Sequence, residues 1–243
     1  MIEVSGLARA FGSVQAVESV SLAAPDGRIT GLLGPNGAGK STTLRAISSV
    51  IGADAGEIRV DGVDVSAEPG RARRAMGVLP HKSGLYPRLT GRENIAYYGR
   101  LNGLAPQWLE QRIETLVAKL DMAGFVDRPA QGYSQGQQLK TALARAMVHD
   151  PRNLILDEPT NGLDVMATRA MRDVIRRLRD EGHCVLFSSH VMQEVAALCD
   201  RILIIAAGRV VAEGSPEQLR EQMGTGDLEE AFVRAIEPTE RAS

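Results

Sequence analysis

Ile29-Thr30-Gly31-Leu32-Leu33-Gly34-Pro35-Asn36-Gly37-Ala38-Gly39-Lys40-Ser41 is the stretch that decides the fold of this chain. Its first five residues read as a buried strand. The next eight match G-x-x-x-x-G-K-[ST], and a helical pattern begins at about Ser41. Glycines let the backbone bring several N–H groups onto phosphate oxygens, and the start of a helix adds partial positive charge. Lys40 is expected to reach the β- and γ-phosphates of a nucleotide as a point charge. The Ser41 hydroxyl is expected on Mg²⁺, an ion that keeps much of its water and takes few protein ligands. The candidate nucleotide-binding set is therefore Gly34, Pro35, Asn36, Gly37, Ala38, Gly39, Lys40, Ser41 and Thr42.

Outward from this loop, residues 153–156 read as a second buried strand, with 184–188 and 202–205 as others. Strands separated by helical patterns predict a largely parallel sheet covered on both faces. In such a sheet the C-terminal strand ends border the ligand crevice, and Asp157-Glu158 fall there. Two adjacent carboxylates can divide the work. Asp157 is expected to hold Mg²⁺ through water. Glu158 is expected to face the γ-phosphate and polarise an attacking water as general base. Residues 1–30 and 57–65 look like extra strands, with Asp61-Gly62 as a turn.

Residues 90–149 carry an almost wholly helical pattern. Ile113, Leu116, Val117 and Leu120 follow 3.6-residue spacing, as do Leu139, Leu143, Ala146 and Met147, and Pro106 suits a first helical turn. Met171, Val174, Ile175 and Leu178 mark another amphipathic helix, and two short amphipathic pieces, 216–223 and 227–236, follow near the end. A length of 243 residues fits one large α/β domain interrupted by a helical insertion. Hydrophobic residues at 44% and charged residues at 24% exclude a disordered chain. A balance of 28 basic against 30 acidic side chains argues against nucleic-acid binding through a strong positive field. Cys184 and Cys199 form no C-x-x-C pair; they read as small core residues of a protein from a reducing compartment. The N-terminus does not read as a leader, and the longest apolar run near the C-terminus, 202–207, is far short of the roughly 20 residues of a membrane span. Any membrane role is thus expected through a partner.

Further motifs resemble the ATP-binding subunits of ABC transporters. Tyr133-Ser134-Gln135-Gly136-Gln137 is similar to the family's LSGGQ signature, with Tyr for Leu and Gln for the first Gly. The resemblance implies that Ser134, Gln135, Gly136 and Gln137 meet the γ-phosphate of ATP held by the other subunit of a head-to-tail dimer. Asn161-Gly162-Leu163-Asp164 resembles the loop that crosses that interface, so Asp164 joins the interface set. His190, after Ser188-Ser189, resembles the switch histidine at the γ-phosphate, and Phe11 falls where the family stacks an aromatic ring on adenine. One departure stands out. Where the family usually places a Mg²⁺-ligating Gln, after Met76-Gly77-Val78-Leu79-Pro80, this chain has His81. An imidazole suits hard Mg²⁺ less well than an amide oxygen. His81 is therefore read as coupling the site to the helical insertion, with a plain exposed loop position as the alternative.

The resemblance spans about residues 1–220. It implies an α/β fold: a P-loop NTPase (RecA-like) mixed-sheet core with an antiparallel β subdomain and an inserted α-helical subdomain. The expected division is a core of 1–89 and 150–220, a helical subdomain of 90–149, and a tail of 221–243 that covers the dimer or the partner, or frays. It further implies an ATPase with ATP and Mg²⁺, in which Lys40, Glu158 and His190 are catalytic and Ser41 and Asp157 hold the metal. The expected partners are a second ABC ATPase subunit, identical or not, and an integral membrane permease of the ABC-2 type at the cytoplasmic face of the cell membrane; nucleic acid is not expected. Gly84-Leu85-Tyr86-Pro87-Arg88-Leu89-Thr90-Gly91-Arg92-Glu93-Asn94 resembles the NatA-type subunits of sodium exporters, and Leu228-Glu229-Glu230-Ala231-Phe232 resembles the tail of ABC-2-type export ATPases. Export of sodium, a drug or a lipid-linked cargo follows from that likeness. A soluble ABC ATPase without a transport role, or an ATP-gated regulatory module, is the alternative.

Overall fold

A computed structural model describes residues 1–240, with side chains through residue 237. At its centre, Ile29–Leu33 (β3) is buried at every position. Cys184–Ser189 (β8) and Arg201–Ala206 (β9) flank it in parallel, and Asn153–Asp157 (β7) and Met76–Leu79 (β6) continue the parallel run beyond β8. β3, β7 and β8 are buried along their whole length because both faces are covered, and their middles are apolar. Each fully buried Leu, Ile or Val contributes roughly 1.5–3 kcal/mol relative to exposure.

The other half of the sheet is antiparallel. Ile2–Phe11 (β1) pairs with Val14–Ala24 (β2) and with Ala55–Val60 (β4), which turns through Asp61 and Gly62 into Val63–Asp64 (β5). Both turn residues have positive φ, 49° and 77°, as a two-residue hairpin turn demands. Arg209–Gly214 (β10) joins the halves, antiparallel to β9 and touching β2 through Arg209 and Ser19. The strand order is β5-β4-β1-β2-β10-β9-β3-β8-β7-β6.

One apolar core lies on each face. On one, Lys40–Ile47 (α1) and Pro69–Arg74 (α2) pack with the antiparallel strands. On the other lie the helices of the insertion between β6 and β7: Gly91–Leu101 (α3), Pro106–Lys119 (α4) and Gln135–Met147 (α5). Thr90 and Ser134 start α3 and α5 with reciprocal capping boxes to Glu93 and Gln137, and Pro106 opens α4. Val165–Asp180 (α6) and Met192–Leu198 (α7) complete this layer with Pro216–Gln222 (α8) and Leu228–Glu240 (α9).

The end of the chain does not fray in its described part. Leu219 of α8 and Leu228, Ala231, Ala235 and Ile236 of α9 are buried in the same core as β9 and α7. The amphipathic spacing that marked these helices thus serves the chain's own sheet. Residues 241–243, the last of the expected tail, lie outside the described residues.

Candidate nucleotide-binding site

The turn between β3 and α1 is possible because Gly39 takes a φ of 102° at the start of the helix. A Cβ there would stand 2.6 Å from the Ala16 carbonyl of β2, so another side chain lacks both the conformation and the space. Lys40 follows, buried, with Nζ donating to the carbonyls of Gly34 at 2.7 Å and Pro35 at 3.0 Å. Burial holds the pKa of this ammonium below its ordinary value, against the weaker opposing pull of the Glu158 and Asp157 carboxylates. The lysine therefore senses the strand-end carboxylates through space.

Asp157 closes β7 in register with Ser188 of β8. Its Oδ1 accepts from Ser41 Oγ at 3.1 Å and from Ser188 Oγ at 2.7 Å. Glu158 comes next with a φ of 52°, a left-handed conformation that a non-glycine residue seldom adopts. Its N–H donates to Ser188, to the carbonyl at 3.2 Å and the hydroxyl at 3.1 Å. Its carboxylate stands between two imidazoles: His190 Nδ1 is 3.1 Å from one oxygen and His81 Nδ1 is 3.7 Å from the other. With Asn36, Ser41, Arg45 and Asn161, these three residues line a cleft of about 430 Å³.

The remaining sequence candidates are distributed as follows. Phe11 ends β1 at the tip of the hairpin with β2, half exposed, with the Arg9 guanidinium 4.9 Å above its ring. Ser134 caps α5, accepting from Gln137 N–H at 3.3 Å. Neither it nor Gly136 lines the cleft at the phosphate loop. Tyr133, the substitute for Leu, is buried; its hydroxyl accepts from Gly91 N–H at 2.9 Å and donates to the Phe125 carbonyl at 2.9 Å, tying the starts of α3 and α5 together. Gln135 turns inward to its own chain, where Nε2 donates to the Asn161 carbonyl at 2.9 Å. Asp164 caps α6 through Ala167 N–H at 2.8 Å, leaving Val165 and Met166 exposed beside it.

Three residues at the site, Ser188, Thr160 and Glu194, were not legible as site residues in the sequence. Ser188, the last residue of the strand expected over 184–188, contacts both Asp157 and Glu158. Thr160 and Glu194 also meet near the site, where the Thr160 hydroxyl donates to the Glu194 carboxylate. A serine closing an apolar strand was the available signal for Ser188; for Thr160 and Glu194, an acidic residue four positions after His190 gave none until the helix was placed.

A strand, a glycine loop and a helix, with a buried Lys held on the loop carbonyls and the helix's Ser bonded to the Asp of a strand-end Asp-Glu pair, define a P-loop nucleoside triphosphatase. The ABC transporter family profile matches residues 17–161. The ABC transporter ATP-binding protein NatA of Bacillus subtilis (strain 168) is 41% identical over 97% of this chain and 98% of its own length. The daunorubicin/doxorubicin resistance ATP-binding protein DrrA of Streptomyces peucetius is 37% identical over 93% of this chain and 69% of its own. Among solved structures, an ATP binding subunit of an ABC transporter superposes with a TM-score of 0.87 at 28% identity, covering 97% of this chain and 99% of that one. The dimeric bacterial cassette MJ0796 superposes with 0.80 at 24% identity over 88% and 98%, a likeness of fold. The chain belongs to the ABC transporter family and is an ATP-hydrolysing, ATP-binding subunit of it.

Proposed function

We propose that this chain is the motor of an exporter, closing with a second cassette around two ATP molecules and passing the motion to a separate membrane permease of the ABC-2 type. The observation that carries this reading is the Glu158 carboxylate, held against His190 beside the Ser41–Asp157 pair and the buried Lys40. Residues 34–42 cradle the triphosphate, and Phe11 stacks on the base. Lys40 and His190 take up charge developing on the γ-phosphoryl oxygens. Glu158 orients the attacking water and accepts its proton as the water oxygen bonds to phosphorus and the bond to ADP breaks. Little covalent chemistry falls to the protein, so position and charge carry the rate.

Mg²⁺ fits the residues present. Ser41 Oγ and Asp157 Oδ1 are hard oxygen donors 3.1 Å apart. Ser41 and Asp157 would hold the ion together with the nucleotide. When bound, the ion offsets charge on the phosphates. His81 faces Glu158 and is no metal ligand in this reading.

Ser134 and Gly136, at the positive start of α5, meet the partner's γ-phosphate, with Gln137 holding the cap and Gln135 and Asp164 shaping the loop between the two sites. The core is 1–89 with 150–220, the helical subdomain 90–149, and the tail begins at 221. Among the described residues no helix is long and apolar enough to cross a membrane. The proposed working place is the cytoplasmic face of the membrane, through the permease. Export is supported by the likeness to the Nod factor export ATP-binding protein I of Rhizobium etli, 36% identical over 91% of this chain and 70% of its own length. The test is Glu158→Gln with MgATP. Turnover should fall by at least a hundredfold while ATP still binds, and the chain should elute as a dimer on size exclusion. Near-normal phosphate release would refute the assignment.

A further inference from the structure

We propose that Glu194 is a positioning residue for hydrolysis: from α7 it holds, through Thr160, the strained turn that carries Glu158. The proposal rests on the reading of Glu158 as the base. Glu194 is only 6% exposed, and a carboxylate so buried is costly unless paired. It is paired from two sides. The Thr160 hydroxyl, itself on a residue only 7% exposed, donates to Oε2, and Arg172 Nη2 of α6 stands 3.8 Å from Oε1. The three groups come from the three segments that leave the site: the turn after β7, the helix after Asp164 and the helix after His190.

The point of attachment matters. Thr160 is two residues past Glu158, whose φ is 52°. Asn161 N–H closes back on the Glu158 carbonyl at 3.1 Å, and the Thr160 carbonyl accepts from Leu163 N–H at 3.2 Å. A bond to Thr160 therefore grips this turn at its middle. An apolar side chain of similar volume would fill the same space. The carboxylate adds direction, because it is aimed at the hydroxyl of the turn and draws a guanidinium from the neighbouring helix to the same point.

The experiment compares the full-length chain with Thr160→Val, Glu194→Leu, Glu194→Gln and the Thr160→Val/Glu194→Leu pair. Steady-state phosphate release is read beside the affinity for a fluorescent ATP analogue. Thr160→Val and Glu194→Leu should each lower kcat about tenfold with affinity held within about twofold, the pattern of lost transition-state positioning. Glu194→Gln keeps an oxygen for the hydroxyl and should stay within about threefold of the parent. The pair should be no slower than its slower single, because both changes cut one contact. A parental kcat in Thr160→Val, losses that multiply in the pair, affinity falling in step with kcat, or Glu194→Gln as slow as Glu194→Leu would each overturn the proposal. Thr160→Val is near-isosteric, so it decides the matter even if Glu194→Leu does not fold. Glu158→Gln measured alongside separates the two ideas. If it turns over normally the base assignment fails; if it stalls while Thr160→Val works normally, Glu194 alone is wrong.

Discussion

Glu158 is where chemistry and strain coincide. A left-handed backbone costs a non-glycine residue roughly 1–2 kcal/mol. The surroundings hold it there: both hydrogen-bonding groups of Ser188 take its N–H, and two imidazoles face its carboxylate. Asp157 and Glu158 were legible as candidates from their place at the end of an apolar run. Ser188 was not, because it reaches them only through the β7–β8 register, 31 residues away in sequence from Asp157. His81 was legible as a departure from the family pattern, and its position gives that departure a meaning. Its Nδ1 lies 3.7 Å from a Glu158 oxygen, so it can steady the base without ligating a metal. His81→Ala should slow ATP hydrolysis about five- to tenfold and leave ATP affinity within about twofold, as read by phosphate release and nucleotide titration. Equal loss of both would show that His81 serves binding instead.

At the scale of elements, α5 joins fold and function through one residue. Ser134 caps the helix and, in the proposed dimer, presents its positive start to the partner's nucleotide. The two duties can be separated. Aspartate is as good a cap as serine, whereas alanine costs about 1 kcal/mol. Ser134→Asp should therefore keep the thermal midpoint of the free chain while abolishing ATP-driven dimerisation, since a carboxylate would meet the γ-phosphate. Ser134→Ala should lose stability by about 1 kcal/mol in urea unfolding. A Ser134→Asp chain that still dimerises with ATP would remove the pentapeptide from the shared site. Ser134 and Gln137 were legible as residues of the signature pentapeptide, whereas their reciprocal capping box appears once the helix is placed. The inward turn of Gln135 onto the Asn161 carbonyl was not, because it needs α5 and the loop after β7 side by side.

At the scale of the whole molecule, the two halves of the sheet meet at β10, and the last described helix closes the apolar face over β9. Leu228 is 6% exposed there, so the end of the chain is part of the core rather than an appendage. Leu228→Ala should cost about 2–4 kcal/mol in urea unfolding, the usual toll of an emptied leucine site. A change below about 0.5 kcal/mol would mean that α9 leaves the sheet in solution. The amino-acid sequence by itself determined the phosphate loop, the strand-end carboxylates, the helical insertion and the order of the motifs. Each of these is written in neighbouring residues, through backbone conformation, capping or periodicity. Only the tertiary structure decided that Ser188 braces Asp157 and Glu158, that His81 faces the base, that Glu194 meets Thr160 and that Leu228, Ala231, Ala235 and Ile236 of the tail pack on the chain's own sheet. Those pairings join residues far apart in the chain, and sheet register and helix placement, rather than any local propensity, bring their side chains within bonding distance.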